Sequence, residues 1–150
     1  MRVLLLGLLL LSACGMPGHR AADVREINFG EGGRDYKGDG HGDSVTFRRD
    51  GTAEEHSYTM QHDIAHDDMH RTARFSTDQF ERLAKTVLAN HSFAEDSYRR
   101  GTDSGQSITV VFSNGEEHHA SFSYDDAEFR PIVTAINDLS NQLQWQDAPD

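Results

Sequence analysis

The chain has 150 residues and a single cysteine, and 25 acidic against 14 basic residues give it a formal net charge of −11. The length suits a single domain, and one cysteine cannot form an intrachain disulfide. The negative charge argues against a nucleic-acid partner and against flat adsorption to anionic lipid, because both surfaces repel an acidic protein. It is compatible with solubility, with basic partners and with cations.

The first 15 residues have the pattern of a bacterial secretion signal. Arg2 precedes an apolar run over residues 3–11, interrupted only by Gly7. This run is too short to cross a bilayer, which needs about 20 apolar residues. The sequence Leu11-Ser12-Ala13-Cys14-Gly15 then resembles the lipobox of bacterial lipoproteins. An ordinary secretory signal cleaved near Ala13 is the alternative.

The lipobox resemblance implies a location and an anchor. Residues 1–13 would be the signal peptide, which signal peptidase recognises through Leu11, Ser12, Ala13 and Gly15. Cys14 would carry two or more acyl chains, and these hold a protein stably on a bilayer. Glycine after the cysteine favours the outer membrane, with the periplasmic face of the inner membrane as the alternative. Residues 14–22 would form a short tether.

The predicted domain covers residues 23–145 and begins with a strand at 24–29. Residues 30–43 contain six glycines and are expected to form a flexible loop. A dinucleotide loop is excluded because a strand, not a helix, follows. A loose calcium site through Asp35, Asp39 and Asp43 stays open.

A hairpin is predicted around Asp50-Gly51, with strands at 44–49 and 53–60. A two-residue turn would place residue 47 opposite 54 and residue 45 opposite 56. In this register Val45 and Phe47 share a face with Tyr58 and Met60, and His56 points inward. Residues 61–69 are expected to form a polar loop, and residues 71–75 a third strand.

The first helix follows Ser76, which is the expected N-cap and forms a capping box with Gln79. Phe75 and Phe80 flank the cap as a hydrophobic staple. Phe80, Leu83, Ala84, Val87 and Leu88 form one apolar stripe. The helix should end at residues 90–91, with Phe93 packing beneath it.

A second hairpin is predicted over residues 107–124. Only a three-residue loop with Gly115 in the left-handed conformation gathers the apolar residues of both strands on one face. This register pairs Val110 with His118 and Ile108 with Ala120. It turns His118 towards the apolar face and His119 towards the polar one.

The last predicted element is a helix at 126–144, with Pro131 in its first turn. Trp145 is expected to close the core, and residues 146–150 to fray. The element order β-βββ-α-ββ-α predicts an α+β fold: an antiparallel sheet of about five to six strands with two helices on one face. The opposite face should be polar and is the natural place for a partner.

The globular part also resembles a known family. Phe29-Gly30-Glu31-Gly32-Gly33, the Asp50-Gly51 hairpin, the capped helix over residues 76–90 and the hairpin over residues 108–122 occur in an order that is similar to emfourin. That family consists of small inhibitors of thermolysin-type metallopeptidases. The resemblance spans residues 24–143 and implies a protease-inhibitor-like domain, with no inhibitory residue carried over.

Three histidines, His62, His66 and His70, recur at a spacing of four. Such spacing can bring imidazoles together to bind Zn²⁺, Cu²⁺ or Ni²⁺, although a solvated loop explains the same pattern. No Gly-x-Ser-x-Gly, His-Glu-x-x-His or second cysteine is present. The sequence therefore predicts a membrane-anchored lipoprotein without enzymatic activity or cofactor, which acts as a binding or structural module on an envelope protein. A histidine-rich metal-binding lipoprotein is the alternative.

Overall fold

A computed structural model describes residues 18–35, 37, 39–62, 64–90 and 104–149. In these residues the fold is α+β, as predicted, and its sheet has seven strands where five or six were expected. All neighbouring strands are antiparallel, in the order β6-β5-β1-β2-β3-β4-β7. The elements are β1 Val24–Arg34, β2 Gly40–Arg48, β3 Thr52–Gln61, β4 Ile64–Arg74, α1 Thr77–Leu88, β5 Ser104–Phe112, β6 Glu117–Phe122, α2 Arg130–Gln142 and β7 Gln146–Asp147.

Both helices pack on the same face of the sheet, and this layer contains the core. The sheet supplies large side chains with no more than 2% exposure, and each helix adds its apolar stripe. Aromatic rings connect the layers: Phe122 stacks on Phe129 with ring centroids 4.1 Å apart. The fully buried large side chains are Phe47, Phe80, Phe112, Phe122, Phe129, Ile27, Ile108, Ile132, Ile136, Val24 and Val87.

The start of α1 confirms the predicted cap. Ser76 Oγ accepts a hydrogen bond from the Gln79 backbone N–H, and Gln79 Oε1 accepts one from the Ser76 backbone N–H. Together they satisfy donors that the first helical turn leaves open. Phe75 and Phe80 contact each other beside the cap, with ring centroids 6.2 Å apart.

The second helix starts later than predicted, and the chain after it does not fray at once. Residues 124–129 form turns, and Pro131 occupies the first turn of α2, where its missing N–H costs no hydrogen bond. Trp145 packs half-buried against the core. Gln146 and Asp147, assigned to a frayed tail by the sequence, instead pair with β4 as β7.

The register of the second hairpin is confirmed, but that of the first is wrong by one residue. Phe47 lies opposite Ala53 and not residue 54, because Arg49, Asp50 and Gly51 form a three-residue loop with Gly51 at φ +84°. A charged Glu54 is thereby kept off the core face, and Ala53 is completely buried there.

The one-residue shift also reverses the predicted inner face of β3. Tyr58, Met60 and His56 lie on the face opposite the helices, because they alternate with Ala53 along the strand. The expectation that they join Val45 and Phe47 was therefore wrong.

Two regions predicted as loops are strand ends. Residues 30–33 pair with residues 41–44, so both ends of the expected flexible loop are continuations of β1 and β2. Gly32 lies so close to the backbone of β2 that a Cβ atom at this position would be 2.6 Å from the His41 carbonyl oxygen. The polar segment 64–69 is likewise the first half of β4. Backbone pairing across the sheet overrides the low strand propensity of glycine and aspartate.

Neither α1 nor α2, the helices within the described ranges, is long and apolar enough to span a membrane. The lipobox residues 11–15 lie outside the described part of the chain, as does Phe93.

Candidate functional site

The sheet face opposite the helices, here called the open face, is polar as predicted. Residues that lie opposite each other in paired strands share a face. The strand pairing therefore assigns side chains of the six strands β1 to β6 to the open face. The polar set comprises Glu26, Asn28, Ser44, Thr46, Arg48, Glu54, His56, His70, Thr72, Ser107, Thr109, His119 and Ser121.

A charged network crosses three strands of the open face. Arg48 donates from Nε to Glu26 at 3.0 Å and from Nη2 to Glu54 at 2.7 Å. The hydrogen bond from Arg48 lowers the pKa of the Glu54 carboxyl, and the bond to Glu54 raises the pKa of Arg48. Asn28 donates to Thr46 at 2.7 Å beside this network. The arrangement is held by partners within the sheet, so the surface is preorganised.

Aromatic side chains occupy the neighbouring part of the open face. His56 lies opposite His70 in the β3–β4 ladder, and their rings stack with centroids 4.0 Å apart. The Tyr58 ring covers Gly42 so closely that a Cβ atom at that glycine would lie 2.4 Å from it. Tyr58 is 37% exposed. Tyrosine and arginine are enriched in protein–protein interfaces, and Tyr58 and Arg48 both lie on this face.

The structure does not bring His62, His66 and His70 together. The register of β4 shifts at Asp68, so His66 faces Thr59 whereas His70 faces His56 on the opposite side of the sheet. His62 sits in the turn between β3 and β4 with φ +51°, and its side chain is exposed. The sequence prediction assumed even spacing along an unbroken strand or helix, and the bulge removes that condition.

Two of the three aspartates proposed for a loose calcium site accept hydrogen bonds from backbone N–H groups in turns. Asp35 Oδ1 accepts from the backbone N–H groups of Lys37 and Asp39, at 2.8 Å and 3.0 Å. Asp39 accepts from the backbone N–H of His62 at 2.9 Å. Asp43 lies further along β2, opposite Ser57. These contacts explain two of the three carboxylates without an ion.

A different group of potential metal ligands does converge. His19, Glu116 and His118 each present a donor atom, and these atoms all lie within 4.8 Å of one another. Nε2 of His118 donates to Glu116 Oε1 at 3.0 Å, and Nε2 of His19 lies 3.3 Å from the same oxygen. Among the residues that the structure describes, this is the one cluster of three such side chains.

The sequence alone indicated the positions of His118 and Glu116, but not that of His19. The predicted register of the second hairpin placed His118 on the apolar face, and its side chain is 18% exposed. Glu116 adjoins the predicted Gly115 loop. His19, however, was assigned to the tether, and only the folded chain shows that it packs on Phe112.

A scan against protein-family models, a search of curated proteins and a search of solved structures found no match to this chain.

Proposed function

We propose that this protein is a lipid-anchored binding module of the bacterial envelope, which uses its open face to hold a partner protein and does not catalyse a reaction. The observation that carries the proposal is the preorganised polar network of Arg48 with Glu26 and Glu54 beside exposed Tyr58. The side chains of this network hydrogen-bond to one another and are therefore ordered before a partner binds, which lowers the entropy cost of binding.

The anchor in this proposal is the Cys14 thioether. Gly18, the first described residue, is four residues after Cys14, so a fully extended connection spans at most about 14 Å. Such a short connection keeps the domain beside the bilayer. A partner in the same envelope then meets the open face at a raised effective concentration.

The net charge of −11 favours a partner that presents basic side chains. Acidic groups on or beside the open face include Asp67, which lies opposite Tyr58 and is exposed. Charge complementarity accelerates encounter and selects partners, so charge reversal at this position should weaken binding.

The anchor is tested by expressing the full chain in a diderm bacterium and fractionating its membranes. We expect the wild-type protein in the outer-membrane fraction, with acyl mass on Cys14. A Cys14→Ser variant should lose that mass and leave the membrane. An unmodified wild-type Cys14 would refute the anchor and leave the binding proposal standing.

The binding surface is tested with a matched pair of charge reversals. Asp67→Arg changes the open face, and Asp138→Arg changes an exposed residue of α2 on the helical side. Cross-linking in envelopes followed by mass spectrometry should recover a saturable partner with wild type and with Asp138→Arg. Asp67→Arg should recover at least about tenfold less. Equal recovery by all three proteins contradicts the assignment of the open face.

The similarity to emfourin makes a thermolysin-type metallopeptidase the first partner to examine. Titration of such an enzyme with the purified full chain should lower its activity in a saturable manner, and Asp67→Arg should shift the titration to higher concentration. An unchanged peptidase activity at saturating protein removes the inhibitor form of the proposal.

A further inference from the structure

A second surface of the domain, separate from the open face, has the chemistry of a metal site. It lies where the segment before β1 crosses the turn between β5 and β6. The three side chains offer two imidazole nitrogens and one carboxylate oxygen, a donor set that suits Zn²⁺ and related divalent transition metals.

Two of the three donor–donor distances are close to those that such an ion requires. With metal–ligand bonds of about 2.0–2.2 Å, neighbouring donors in a tetrahedral site lie about 3.3–3.5 Å apart. The distance from Glu116 Oε1 to Nε2 of His19 is 3.3 Å, which lies in this range. The distance to Nε2 of His118 is 3.0 Å, slightly shorter, because without an ion this nitrogen donates a hydrogen bond to Glu116. A bound ion would take the place of that proton. Three protein ligands leave a fourth position for water.

Packing fixes the two imidazole rings. His19 stacks on the buried ring of Phe112, with centroids 4.0 Å apart, and His118 meets the same ring edge-on at 5.6 Å. The side chains of His19 and His118 are only 17% and 18% exposed. Rings held in this way lose little conformational entropy when they bind an ion.

The carboxylate is also oriented by its surroundings. Asn114 Nδ2 donates to Glu116 Oε2 at 3.3 Å, which leaves Oε1 directed at the two histidines. The Glu116 backbone N–H donates to Asn114 Oδ1 at 2.9 Å, so the turn itself sets this geometry. Outer contacts of this kind tune ligand orientation in metal sites.

We propose that His19, Glu116 and His118 bind one Zn²⁺-like divalent ion and thereby fasten the segment before β1 to the β5–β6 turn. A backbone hydrogen bond from Ser113 N to Asp23 O, at 2.8 Å, already joins these regions. The ion adds a second link at His19, four residues before Asp23. The site is distinct from His62, His66 and His70 and does not depend on lipidation.

Calorimetric titration of the full chain with Zn²⁺ in detergent tests this assignment. We expect one ion per chain, and at least about tenfold weaker binding by His19→Ala and by Glu116→Gln. The matched control is His119→Ala. His119 follows His118 in the chain, but its side chain lies on the open face, where it contacts Thr109. This control should bind as wild type does.

A second readout separates loss of a ligand from loss of the fold. His19 precedes the first strand and Glu116 is 45% exposed, so both variants should keep the wild-type circular dichroism without metal. His19→Ala also loses the stacking on Phe112, so its metal-free urea midpoint should be lower than that of wild type, and each variant is compared with its own metal-free midpoint. Zn²⁺ should then raise the urea midpoint of wild type and His119→Ala only. Unchanged Zn²⁺ affinity in His19→Ala and Glu116→Gln, or its loss in a His62/His66/His70→Ala triple variant, overturns the proposal.

Discussion

Replacing Gly51 with alanine should destabilise the domain more than the same replacement at Gly115. Both glycines close three-residue hairpin loops and have similar backbone angles, with φ +84° and +87°. A left-handed conformation costs alanine roughly 1–2 kcal/mol. About 0.4–1 kcal/mol of this is offset because alanine restricts the unfolded chain.

The two positions differ in what a methyl group would meet. At Gly115 no atom lies within 4 Å, so Gly115→Ala should cost at most about 1.5 kcal/mol of unfolding free energy. At Gly51 the new Cβ would lie 2.7 Å from the Phe75 carbonyl oxygen. The backbone must then shift and strain the hydrogen bond from Phe75 N to Gly51 O, for a total of about 2–4 kcal/mol.

Urea denaturation followed by circular dichroism measures both values on the full chain. The reasoning is refuted if the two variants differ by less than about 0.5 kcal/mol, or if Gly115→Ala is the more damaging. Such a result would mean that the first hairpin does not hold Gly51 against Phe75, and that its three-residue loop is misassigned.

Two further perturbations test the helix cap and the open-face network. Ser76→Ala removes the acceptor for the Gln79 N–H and should lower the free energy of unfolding by about 0.5–2 kcal/mol, measured in the same urea assay; no loss would contradict the cap. Glu54→Gln removes the half-exposed partner of Arg48 and should cost about 0.5–1 kcal/mol at neutral pH. Because the folded pKa of Glu54 is below its ordinary 4.5, this contribution is complete above that value and disappears as pH falls through the folded pKa. A wild-type advantage that does not decline as the pH is lowered below 4.5 would contradict it.

Local patterns in the sequence were sufficient where the determining groups are neighbours along the chain. The Ser76–Gln79 capping box and the apolar stripe of α1 are set by side chains three or four residues apart, and both are present. The second hairpin was also predictable, because only one register keeps Ile108, Val110 and Ala120 on a single face.

The first hairpin shows where that reasoning failed. A two-residue Asp50-Gly51 turn is the more common choice, but it would place Glu54 opposite Phe47 in the core. The fold instead extends the loop by one residue, and the Arg49 guanidinium then donates to Glu81 of α1 at 2.6 Å. Glu81 is more than thirty residues away in sequence, so no local pattern could reveal this contact.

The sequence by itself determined the α+β class, the polar open face and the composition of both helices, because hydrophobic periodicity and capping are local properties. Only the tertiary structure decided which polar residues meet. A bulge at Asp68 places His66 and His70 on opposite faces of the sheet. His19 lies beside Glu116 and His118, although nearly the whole domain separates them in sequence. Register and long-range packing depend on the summed burial of the entire sheet, which no short stretch of sequence contains.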